Sequence, residues 1–155
     1  MGFAALITWF AAVLAGLYML TVWLIENDVT ARRVAPSQLP VPVIFTHLTL
    51  ALTGLGLWVA YLILDSETLA WASFGTLGVI ILLGLTMFAR WIPVYREPVP
   101  AARPARAAPG PFAVEELVAV PAEGNFPLVV VTAHGLLAGT TLVLVLLTAL
   151  GVGGS

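Results

Sequence analysis

The 155-residue chain has no cysteine and no lysine. The absence of cysteine excludes disulfides, thiolate-ligated metals, iron–sulfur clusters and c-type haem attachment. Charged residues make up only 9% of the chain, whereas a typical soluble domain has about 25%. A formal net charge of −2 without a long basic run argues against a nucleic-acid partner. The charge deficit and a mean hydropathy of +1.06 place the chain among membrane proteins.

Long apolar segments dominate the sequence instead. A helix needs about 20 apolar residues to cross a bilayer, and four segments meet this requirement: 3–25, 43–64, 69–91 and 127–152. No proline lies inside them except Pro127, which the first turn of a helix tolerates. The sequence therefore predicts an all-α protein, an up-down bundle of four transmembrane helices that forms a single integral membrane domain over 1–155.

Of the three loops that these segments leave, the short one at 65–68 has no arginine, and all six arginines lie in the loops at 26–42 and 92–126 or at the helix end beside them. The positive-inside rule makes both loops cytoplasmic and places the N-terminus and the C-terminus outside. The use of arginine in place of lysine, with abundant Ala, Gly and Pro, is typical of a GC-rich genome and indicates a bacterial cell membrane. The third loop, at 92–126, is interpreted as a solvated connector, with a short helix or strand at 112–120.

The chain has only two histidines, and both lie inside apolar segments. His47 follows the start of the second segment by about five residues, and His134 follows Pro127 by seven. The second and fourth helices run in the same direction, so both imidazoles are predicted at the same depth in the cytoplasmic leaflet. Ionisable groups within a membrane are costly and mark candidate functional sites.

Small residues surround this pair in helical spacing. Gly54 shares the face of His47, and Ala138 shares the face of His134. Small side chains let helices, or a flat macrocycle, approach closely. The sequence THLTLALTG around His47 also aligns with AHGLLAGTT around His134, which indicates an internal duplication with a twofold axis along the membrane normal.

Two facing imidazoles predict a b-type haem with bis-histidine ligation, in which His47 and His134 hold the iron. Arg90 is then the candidate partner of the propionates, and Met87 is an alternative axial ligand. A zinc or copper ion is a weaker interpretation, because two imidazoles leave such a site incomplete. Proton handling is weaker too, since no carboxylate lies within the segments. Histidines that only hydrogen-bond between helices are the alternative to every kind of site.

One histidine on each of two membrane helices resembles the haem-b anchors of quinone-linked oxidoreductases and small cytochrome b561-type carriers. The likeness covers His47, His134 and their small neighbours, and it departs from cytochrome b561 proteins, which hold two haems with four histidines. It implies electron transfer within a larger membrane complex, with a quinone as redox partner and other subunits or further copies of the chain around it. The alternatives are a non-catalytic anchor or assembly subunit and a small transporter or channel. Whether the chain is an enzyme stays open.

Overall fold

The computed structural model describes residues 1–26, 37–96 and 121–152, and every regular element in these ranges is helical. Four long helices are α1 (Gly2–Glu26), α2 (Val41–Leu64), α3 (Glu67–Arg96) and α4 (Leu128–Ala149), and a short 3₁₀ helix spans Ala122–Asn125. Each long helix is long and apolar enough to cross a membrane. The all-α and four-helix predictions are confirmed. Arg32, Arg33, Arg103, Arg106 and segment 112–120 lie outside the described residues.

The helix ends follow from local chemistry. Pro40 and Pro127 are the N-cap residues of α2 and α4, with nearly equal backbone angles. Asp65 ends α2 in the left-handed region with φ of 49°, which aspartate tolerates better than most residues. Glu67 then begins α3. This helix runs five residues beyond the predicted span and includes Pro93. Beyond the proline, Tyr95 stacks on Trp91 at a centroid distance of 4.9 Å.

The helices associate most extensively as α1 with α4 and α2 with α3. Their outward faces are apolar: Phe3, Ile63, Val129 and Leu136 each expose more than 70% of their surface. Such faces would be unfavourable in water and match a hydrocarbon environment. The two ends of the bundle differ in their connections and are called the turn end and the loop end. The turn end holds Asp65 and Ser66, and the loop end holds Ser37, Gln38 and the 3₁₀ helix.

The packing shows a repeat that covers both halves of the chain. Gly16, Met19 and Trp23 of α1 correspond to Gly84, Met87 and Trp91 of α3, each 68 residues later. Pro40 and His47 of α2 correspond to Pro127 and His134 of α4, each 87 residues later. These positions pair α1 with α3 and α2 with α4, which is the exchange that a duplication with a twofold axis along the membrane normal predicts.

The turn half of the bundle has a close-packed core around two tryptophans. Trp9 and Trp58 expose 2% and 0% of their surfaces, and the Trp58 indole N–H donates to the Gly2 carbonyl at 3.1 Å. Gly54 provides the space for Trp9, since a Cβ at this position would lie 2.8 Å from the ring. A well-packed core has no room for an added methyl group at such a contact.

Substitution of Gly54 by alanine should therefore destabilise the bundle by about 1–3 kcal/mol through overpacking. Gly56 is the matched control, because a Cβ there would meet no atom within 4 Å. Thermal unfolding in detergent measures both variants. Equal midpoints for Gly54→Ala and Gly56→Ala would contradict this account of the core.

Candidate functional site

Each histidine is fixed by a backbone carbonyl of a neighbouring helix. His47 Nδ1 lies 3.0 Å from the Ile80 carbonyl oxygen on α3, and His134 Nδ1 lies 2.9 Å from the Ala12 carbonyl oxygen on α1. A carbonyl can only accept, so Nδ1 carries the proton in both rings. In the neutral imidazole, Nε2 then holds the free lone pair that a metal requires. Neither Nε2 forms a hydrogen bond within the described ranges.

The two imidazoles face the same region of the bundle. Their ring centroids are 6.2 Å apart, with an angle of 51° between the planes. Imidazoles on opposite sides of one metal ion, with metal–nitrogen bonds of about 2.0 Å, have centroids about 6 Å apart. The observed centroid separation is thus compatible with two imidazoles that would hold a single metal ion.

Glycine lies beside each imidazole at the same position of the repeat. A Cβ on Gly16 would lie 3.2 Å from His134 Cε1, and a Cβ on Gly84 would lie 3.3 Å from His47 Cε1. Both distances are below the optimal carbon–carbon separation of about 3.5–4.0 Å. Each imidazole therefore depends on a glycine for its position and on a carbonyl four residues before that glycine for its tautomer.

The histidines line a cavity of about 660 Å³, a size typical of small-molecule and cofactor sites. On α3 its lining extends from Leu77 to Trp91, which corresponds to about 21 Å along the helix axis. Among the described lining residues the side chains are almost all apolar, and none is charged. The cavity is thus an elongated apolar chamber in which two imidazoles are the candidate ligands.

A hydrogen-bonded cap lies at the loop end of this chamber, where Trp23 and Trp91 line it. Glu123, with no exposed surface, accepts hydrogen bonds from the Ser37 hydroxyl and the Gln38 backbone N–H. The Trp23 indole donates to the Ser37 hydroxyl, and the Trp91 indole donates to the Glu123 carbonyl, both at 3.0 Å. The two corresponding tryptophans of the repeat thereby join both connections over the cavity.

Replacement of Glu123 by alanine should loosen this cap, because it removes the acceptor of two part-buried hydrogen bonds, each of which contributes about 0.5–1.5 kcal/mol. Glu123→Gln retains an acceptor oxygen and should be milder. Limited proteolysis of the connections, together with thermal unfolding, measures both effects. A Glu123→Ala protein as resistant as wild type would show that the cap does not hold the connections together.

Only some of the residues predicted for the site line the cavity. His47, His134 and Ala138 line the cavity, as does Met87. Gly54 lies against Trp9 outside the cavity. Arg90 is exposed at the loop end and donates to the Gln38 carbonyl at 3.3 Å. Thr49, two residues after His47, donates to the Phe45 carbonyl of its own helix.

Sequence reasoning missed the residues that hold the imidazoles. These are Ala12 and Gly16 of α1 and Ile80 and Gly84 of α3, and their residue types alone do not connect them with the histidines. A usable signal was present in the sequence. The identical Gly, Met and Trp positions of α1 and α3 extend the histidine repeat to the whole chain and place Gly16 and Gly84 in equivalent roles.

Comparison with known proteins gives no match to a protein-family model, a curated protein or a solved structure.

Proposed function

We propose that this chain is an integral membrane protein that binds one b-type haem between His47 and His134 and serves as an electron-transfer subunit. The observation that carries the proposal is the pair of imidazoles at 6.2 Å, each with its Nδ1 on a backbone carbonyl. This arrangement fixes the tautomer that leaves Nε2 for the iron. When bound, a bis-imidazole haem supplies a reversible one-electron couple.

The cavity supports the same proposal. Its apolar walls exclude water and suit the faces of a macrocycle, and burial of the iron is one factor that sets the potential. The arginines within the described ranges, Arg90 and Arg96, both lie in the last two turns of α3. We therefore assign the propionate side to the loop end, where Arg90 is the candidate counter-charge.

The proposed topology is an up-down bundle with both termini outside the cell and the loop end in the cytoplasm. The bond from Trp58, late in α2, to Gly2, at the start of α1, supports antiparallel packing of these helices. The apolar outward faces support insertion in a bilayer, and the arginine distribution supports the orientation. Little of the described chain lies outside the helices, which favours a role beside other subunits, with a quinone as redox partner.

Purification from haem-replete bacterial cells tests the proposal. We expect a Soret band, a reduced-minus-oxidised α-band and a low-spin ferric signal in electron paramagnetic resonance, with one haem per chain. Colourless protein that takes up no haemin in detergent would contradict it.

A second candidate function is a non-catalytic membrane anchor. The two Nδ1–carbonyl bonds join α2 to α3 and α1 to α4, and such interhelical bonds stabilise membrane bundles by about 0.6–2 kcal/mol. In that case the imidazoles are structural, and haem binding is not required for folding.

A further inference from the structure

The cavity has a side opening between α3 and α4. Three of its lining residues, Leu85, Phe88 and Leu136, are 56%, 42% and 73% exposed. Gly135 and Gly139 also line the cavity, and both are exposed. A Cβ on either glycine would meet no atom within 4 Å. Missing side chains on α4 thus leave a slot from the imidazoles to the outer surface of the bundle.

At its two ends the cavity is flanked by buried residues of the described ranges. The cap of Glu123, Ser37 and the two indoles lies at the loop end. Trp9, Leu77 and Thr141, each no more than 2% exposed, flank the turn end.

The repeat is broken at the slot. In α2, the residues that correspond to Gly135 and Gly139 are Leu48 and Leu52. At the corresponding positions of α2, two leucines therefore occupy volume that two glycines leave free in α4. A symmetric duplication would have given both helices the same residues here.

We propose that the slot is the port through which the cavity takes up its macrocycle from the bilayer. The proposal rests on the proposed haem function, and it names Gly135 and Gly139 as the residues that keep the port open. Porphyrins are flat and apolar and partition into lipid, and the slot opens on an apolar surface in mid-helix. A ligand of this size would otherwise have to break the buried hydrogen bonds of the cap.

The test measures uptake from lipid vesicles into the full-length protein. Apoprotein in phosphatidylcholine proteoliposomes is mixed with vesicles loaded with haemin or with metal-free protoporphyrin IX. Soret absorbance follows the first probe, and quenching of tryptophan fluorescence follows the second. Gly135→Leu and Gly139→Leu fill the slot without a clash at Cβ, and leucine is a better helix former than glycine.

Each leucine variant should slow the uptake of both probes by about tenfold or more. Gly56→Leu and Gly75→Leu, whose Cβ positions are equally open and lie outside the cavity, should match wild type. Unchanged uptake in the Gly135 and Gly139 variants, or uptake accelerated by Glu123→Ala alone, would overturn the port in favour of the loop end. Uptake of protoporphyrin without haem ligation would contradict the proposed haem function and leave the port standing.

Discussion

Replacement of either His47 or His134 by alanine is expected to abolish the bis-imidazole haem spectrum. Each variant loses one of the two cavity-lining imidazoles, and the remaining histidine cannot supply both ligands that the proposal requires. Loss of a residue that only hydrogen-bonds to a metal ligand lowers metal affinity by about 10–100-fold. Removal of the ligand itself should therefore lower haem affinity by more than this. Haemin titration, with absorption and electron paramagnetic resonance spectra, measures the loss.

Glutamine at the same positions separates ligation from structural support. A glutamine amide can still donate to the Ile80 or the Ala12 carbonyl, but it has no imidazole nitrogen for the iron. His47→Gln and His134→Gln should thus keep most of the thermal stability of the apoprotein and lose the low-spin haem signal. If the glutamine variants bound haem like wild type, the bis-histidine site would be wrong. If the wild-type protein bound no haem, and the alanine variants lost only about 1 kcal/mol of unfolding free energy, the anchor function would be favoured.

The helices were predictable from sequence because segments that can span a membrane have a characteristic length and apolar composition. Four apolar runs with prolines at their borders predicted the four helices, although α3 continues through Pro93 to Arg96. Sequence rules gave no sign of that continuation, because proline inside a helix removes a backbone hydrogen bond and usually ends or kinks the helix. The cap around Glu123 was also beyond prediction. Its hydrogen bonds join residues 85 or 86 positions apart, and no local pattern encodes such pairs.

The histidine pair shows where sequence reasoning about a site ends. Matched position within two apolar segments predicted that His47 and His134 lie at one level, and the structure brings their rings to 6.2 Å. Composition could not identify what orients the rings, because the acceptors are backbone carbonyls, which every residue has. Helical spacing also placed Gly54 beside His47, whereas in the structure Trp9 occupies the adjacent space. The small size of glycine does not by itself indicate whether an imidazole or an indole packs against it.

The second large expected effect is a loss of haem affinity on substitution of Gly16 or Gly84. Alanine at either position puts a methyl group 3.2–3.3 Å from an imidazole Cε1, so the ring must move and its Nδ1–carbonyl bond must lengthen. We expect haem affinity to fall by about 10–100-fold in each variant, the usual effect of disturbing the residues that orient a metal ligand. Valine should be more severe. Haemin titration and the midpoint potential of the bound haem measure the change.

The repeat makes this prediction unusually restrictive, because Gly16→Ala and Gly84→Ala act on equivalent rings and should have similar effects. Gly56→Ala and Gly75→Ala, with open space at Cβ, are the controls and should change stability by no more than about 0.5–1 kcal/mol. A large effect at one glycine and none at the other would mean that only one imidazole binds the iron. Met19 or Met87, which also line the cavity, would then be the candidate for the opposite ligand. Similar losses at both positions are expected only if His47 and His134 hold the iron together.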